Sequence, residues 1–96
     1  MKTFYLLVRV APVQGNRIFG ILPGAHANIF VCTDSKENAW IEAQRYLKHN
    51  YWIPTLDEEI IEISERHQFP SEQSKYLYQE SQVFGIAAAF VGFASY

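Results

Sequence analysis

Between Asp34 and Asn50 the apolar residues change their spacing, and that change constrains the fold more than any other feature of the chain. Before it, β-branched and aromatic residues alternate with period two. Within it, Ala39, Ala43, Tyr46 and Leu47 recur at helical spacing, with Trp40 on the rim of the stripe. After it, branched residues return in Ile60, Ile61 and Ile63. A half-buried strand repeats every two residues and an amphipathic helix every 3.6. Both kinds of element are therefore expected.

Thr3–Val10 reads as a strand with Phe4, Leu6, Val8 and Val10 on one face and Tyr5, Leu7 and Arg9 on the other. Gly15-Asn16 breaks it. Arg17–Leu22 is a second short strand candidate, Pro23-Gly24 is a turn, and Ala27–Thr33 is a third strand. Asp34 or Ser35 can accept from the free N–H groups of the first helical turn, with the helix running to about His49. Pro54 has no N–H to give a ladder, which makes Tyr51–Pro54 an entry loop or an edge. Glu59–Ser64 is the next strand. Ser71 caps a second, more polar helix through about Gln79, and Val83–Ala94 is taken as a closing strand. The expected fold class is α+β: a two-layer sandwich with a mostly antiparallel sheet and two helices on one face. A ferredoxin-like plait, or a variant with an added N-terminal hairpin, is the nearest architecture. The whole chain, residues 1–96, is read as a single domain.

Charge narrows the function. Eight basic and ten acidic residues leave a net charge of −2, and the basic ones form no run. Nucleic-acid binding draws on clustered lysine and arginine at phosphates. None is expected here. Asp57-Glu58-Glu59 is the sole block of like charge, read as a solvated strand end. A single cysteine, Cys32, permits no internal disulfide and no thiolate cluster for zinc, which fits a reducing, cytoplasmic setting. The apolar start of the chain is interrupted by Arg9 and lacks a small-residue cleavage site, so no targeting segment is read there. Val83–Tyr96 is too short to span a bilayer as a helix, and no membrane partner is expected.

No convergent catalytic set is evident. His26, His49 and His67 lie far apart in sequence, so no metal site is expected, and His49 has a structural use near a helix C-terminus. Cys32 sits in an apolar strand, where a thiol packs rather than reacts. No glycine-rich phosphate loop is present, and no cofactor is implied.

The closing segment carries the functional expectation. Sheets with one wet face alternate apolar and polar residues. Here Phe84, Ile86, Ala88 and Phe90 share one face while Val83, Ala87, Ala89, Val91 and Phe93 share the other. Something should cover the second face. A non-enzymatic interaction module that self-associates through that apolar face, as a homodimer, is the leading expectation, with Val91 and Phe93 as interface candidates. Another protein partner is the variant of that idea. A small-ligand binder or small enzyme is the first alternative, its pocket drawn from Tyr5, Arg9, His26, Tyr51 and Trp52. The second is an acidic inhibitor that presents Asp57–Glu62 to a basic partner.

Overall fold

The computed structural model of the chain describes residues 1–64 and 68–93, with the backbone alone at 56–58. The elements run β1 (Lys2–Pro12), β2 (Gly24–Thr33), α1 (Lys36–His49), β3 (Trp52–Ile63), α2 (Glu72–Phe84) and β4 (Ile86–Phe93). The strands form a four-stranded sheet in the order β3-β1-β2-β4, and each neighbouring pair is antiparallel. The α+β class with an antiparallel sheet and two helices is as expected.

Alternation along β1 and β2 sets the two faces. Phe4, Leu6, Val8 and Val10 lie beside Ala25, Ala27, Ile29 and Val31, all buried. α1 closes this face with Ala39, Ala43 and Leu47, each fully buried. Ser35 starts α1, its Oγ accepting the Asn38 N–H at 3.2 Å. Asp34 instead accepts from the Asn38 side chain at 2.6 Å, a bond that holds its carboxyl below the ordinary carboxylate range. At the other end, Lys48 and His49 occupy the last turn, where cationic side chains favour the helix dipole.

The two-layer expectation is corrected. α2 does not join α1. It packs Leu77 against Phe30, Ile63 and Ala87, which belong to the opposite face of the sheet. The reason lies in the connections. α1 links β2 to β3, which run in the same direction with β1 between them. α2 links β3 to β4, the two outer strands, and crosses the other face to do so. Ser81 lets α2 approach closely: it is fully buried, and its hydroxyl donates to the Tyr78 carbonyl at 2.6 Å.

Element boundaries also differ. β2 begins at Gly24 rather than Ala27. Arg17–Leu22 is not a strand. Asn16 holds its backbone in consecutive turns by accepting the Ile18 N–H at its side chain (3.1 Å) and the Phe19 N–H at its carbonyl (3.1 Å). Ile18 then packs on the α1-side core, and Leu22 meets Gly92 on the same side. β3 begins at Trp52 rather than Glu59 and tolerates Pro54 because it is an edge. Val83 and Phe84 belong to α2, not to the closing strand. The helix stops at Gly85, whose φ of 87° is the left-handed C-cap conformation that glycine adopts without a Cβ clash.

Candidate functional site

The second sheet face is half covered. Over its first half lie α2 and Phe69. Phe30 there meets Tyr5, Phe69 and Tyr78 at ring distances of 5.1, 6.2 and 6.4 Å. Gln82 ties the helix down by donating to the Thr3 hydroxyl at 2.9 Å. Past Tyr5 the helix ends its cover, and Leu7, Arg9, His26, Asn28, Val91 and Phe93 form the other half.

Register brings these residues together, since Arg9 stands beside His26 and His26 beside Val91. Phe93 lies back over Gly24. A Cβ at Gly24 would sit 2.7 Å from that ring and 2.6 Å from the Val10 carbonyl, so the close approach needs glycine. The Arg9 guanidinium lies 5.3 Å from the Phe93 ring centroid, and the His26 ring lies 5.1 Å from it at 51°. A cation over an aromatic face is attracted by the ring quadrupole, about 0.5–1 kcal/mol at an open site. Tyr5 donates its hydroxyl proton to Asn28 Oδ1 at 2.5 Å. Burial, then the nearby Glu59 charge, push its pKa above the ordinary tyrosine value. Of the expected residues, Tyr5, Arg9, His26, Val91 and Phe93 thus share one surface.

Tyr51 and Trp52 do not join them, which corrects the expected pocket. Trp52 is buried on the α1 side, stacked on Phe90 with centroids 4.8 Å apart and planes within 6°. The two rings come from opposite edge strands and meet within the α1-side core. Tyr51 holds a left-handed φ of 62°, a strained setting for a residue with a Cβ. Its carbonyl accepts the Val13 N–H at 3.0 Å and the Asn16 side chain at 3.1 Å, which hold that turn. Two open clefts flank this end. One of 620 Å³ lies between the last turns of α1 and Ile86, and one of 400 Å³ lies between the 15–18 turn, Asn50 and Phe90. The larger is lined by Glu42, Arg45, Tyr46, His49, Asn50 and Ile86, the smaller by His49, Asn50, Tyr51, Trp52, Phe90 and the 15–18 turn.

Sequence reasoning missed the strand edge beside this face. The Cys32 N–H donates to the Gly85 carbonyl at 2.8 Å, in line with the β2–β4 register. Bonded pairs alternate in an antiparallel ladder. Ala87, Ala89 and Val91 therefore bond β2, while Ile86, Ala88, Phe90 and Gly92 point their N–H and C=O groups outward. No strand among the described residues meets that edge. Next to it Val83 and Phe84 are 75% and 74% exposed, Tyr76 59% and Val91 57%. Val83-Phe84 followed by glycine was the available signal: branched and aromatic residues just before a helix stop, with nothing polar to face water.

Among the described residues no three His, Cys, Asp or Glu side chains gather as metal ligands, and no helix is long and apolar enough to cross a membrane. His67 lies outside the described residues, as do the side chains of Asp57 and Glu58. Comparison with protein-family models, with curated proteins and with solved structures finds no match.

Proposed function

We propose that this chain is a non-enzymatic interaction module that self-associates through the apolar β4 side of its sheet. The single observation that carries this is the exposed apolar surface there, next to an open strand edge. Val83, Phe84 and Val91 are more than half exposed, and all lie on or beside β4. Large apolar groups left in water at one place mark an interface. The most frequent partner for such a surface in soluble proteins is a second copy related by a two-fold axis. The ferredoxin-like likeness of architecture belongs to the same proposal. It is supported by the β2-α1-β3 crossover, which spans one intervening strand as a split β-α-β unit does. The second crossover departs from it by joining antiparallel strands across the other face. A reducing cytoplasmic setting suits a chain whose single thiol is unpaired.

The ligand-binding alternative draws support from the 620 Å³ cleft, which is mostly apolar and opens beside β4. Its polar lining, Glu42, Arg45, Tyr46, His49 and Asn50, comes from the last turns of one helix and the residue after it, not from several elements converging on one point. A native mass measurement separates the two. The chain weighs 11.1 kDa, and self-association predicts twice that mass with nothing added. A monomer carrying an extra small mass would move the assignment to ligand binding. A bare monomer at high concentration would refute self-association.

A further inference from the structure

We infer that two copies join edge to edge along β4, antiparallel and with Ala89 facing Ala89 across a two-fold axis, to make one continuous sheet of twice the width. This rests on the self-association proposed above and assigns its partner surface and register.

The hydrogen-bond geometry comes first. Only Ile86, Ala88, Phe90 and Gly92 offer outward N–H and C=O groups, as the bond from Cys32 to Gly85 dictates. A regular ladder must pair outward residues with outward residues. The fullest overlap sets Ile86 against Gly92 and Ala88 against Phe90, and the axis then falls at Ala89. Every outward donor of one copy meets an outward acceptor of the other.

Charge selects a second copy. β4 carries no charged side chain from Ile86 to Phe93, so nothing repels its own image. The other edge, β3, carries Asp57, Glu58, Glu59 and Glu62 and would set carboxylates against carboxylates.

The helix layer completes the fit. Tyr78 and Gln82 are the flank of α2 that faces the middle of the sheet, shown by their contacts with Phe30 and Thr3. At 100° per residue, Tyr76, Glu80 and Val83 form the opposite flank, which overlooks the outer side of β4. α2 rests on both β2 and β4. With strands about 4.8 Å apart, the two α2 axes would lie about 10 Å apart across the dyad, an ordinary helix packing distance. Tyr76 and Val83 are then covered. An eight-residue strand is about 26 Å long, and a sheet with one helix layer is about 20 Å thick. The projected contact is on the order of 500 Å² per copy, and accessible area exceeds projected area. That reaches the lower end of the range for stable dimers, about 1,200 Å² in total.

The test is disulfide trapping in a Cys32→Ser background. Facing residues at a pair without mutual hydrogen bonds lie about 4.5 Å apart at Cα, within disulfide reach. Ala89→Cys should cross-link to dimer under mild oxidation. Val91→Cys should not, because its two copies would lie about 13 Å apart along the strands. Two further variants guard against a folding artefact. Ala88→Pro removes an outward N–H, and Val83→Glu adds a second carboxylate beside Glu80 on the α2 flank. Each should give a monomer with an unchanged circular dichroism spectrum. A dimer that fails to link at Ala89, or that links equally at Val91, overturns the edge assignment and leaves self-association standing. A dimer that survives both Ala88→Pro and Val83→Glu does the same. A wild-type chain that is monomeric throughout refutes both.

Discussion

The two edges of the sheet are built on opposite terms. β3 is long, carries an exposed Pro54 near its start, and runs through the acidic stretch to Glu62, which pairs loosely with Lys2 at 3.7 Å. Its pairing with β1 shifts register on both sides of Arg9. Proline, charge and bulges are the usual means of keeping an edge from recruiting strands. β4 has none of them. It is short, uncharged and regularly paired, with apolar side chains on both faces. An edge left in that state is a recruiting surface unless something covers it. The difference teaches that protection in this chain is selective, and that selectivity is the physical content of the proposed function.

The two edges are nonetheless one fold, tied by the Trp52–Phe90 stack. Breaking that tie is expected to have the largest effect. Trp52→Ala should cost about 3–5 kcal/mol, as large-to-small changes at buried aromatics do, read by urea unfolding. A loss below about 1 kcal/mol would show that the stack does not hold the edges together. Next come the two senses of backbone along β4. Ala89→Pro removes a bond to Asn28 within the sheet and should destabilise the monomer by about 2–3 kcal/mol more than Ala88→Pro, which removes only an outward N–H. Equal losses would mean that the inward and outward assignment is reversed.

Charge should convert one kind of edge towards the other. Val91→Asp places a charge on the β4 flank, to be desolvated on pairing, and should weaken association about tenfold or more by sedimentation, at about 1.4 kcal/mol per factor of ten. Conversely, Glu59→Val with Glu62→Val halves the acidic charge of β3, leaving Asp57 and Glu58. It should add assemblies larger than the dimer, because a second open edge allows chains to continue. A sharp dimer in that double variant would show that Glu59 and Glu62 are not what guards β3. The smallest effect concerns Tyr5. Its folded-state pKa is raised, so the unfolded chain gives up the phenolic proton first. Tyr5 therefore contributes stability below about pH 10 and loses it as the pH rises through the folded value. Glu59→Gln should bring its ionisation down towards the ordinary value, followed as tyrosinate absorbance against a Tyr5→Phe control. An unmoved titration would place Glu59's charge out of reach of the hydroxyl.

The parts of this fold that were legible in the sequence are those where one local rule decides the outcome. Phe4, Leu6, Val8 and Val10 alternate and are buried together. Ser35 and Ser71 cap their helices. Pro54 marks an edge. The clustering of Arg9, His26, Val91 and Phe93 was reachable only in part. Parity along a strand puts Val91 with Phe93, but register across strands brings Arg9 to them, and register is a long-range property. Two things were hidden. Val83 and Phe84 have strand-forming side chains, and only the glycine after them shows that the helix runs on through them. An amphipathic helix also has no mark that says which sheet face it will cover. Topology decided that, by sending α2 between the two outermost strands. The apolar second face of β1 did register a missing cover, and α2 supplies it for Tyr5 and Phe30 but not for Val91.

Amide hydrogen exchange measured residue by residue at rising protein concentration tests the central contrast most directly. Pairing along β4 predicts that the amides of Ile86, Ala88 and Phe90 become protected as concentration increases, while the outward amides of β3 exchange at the same rate throughout. Outward β4 amides that exchange freely at every concentration, in a chain that still dimerises, would contradict it.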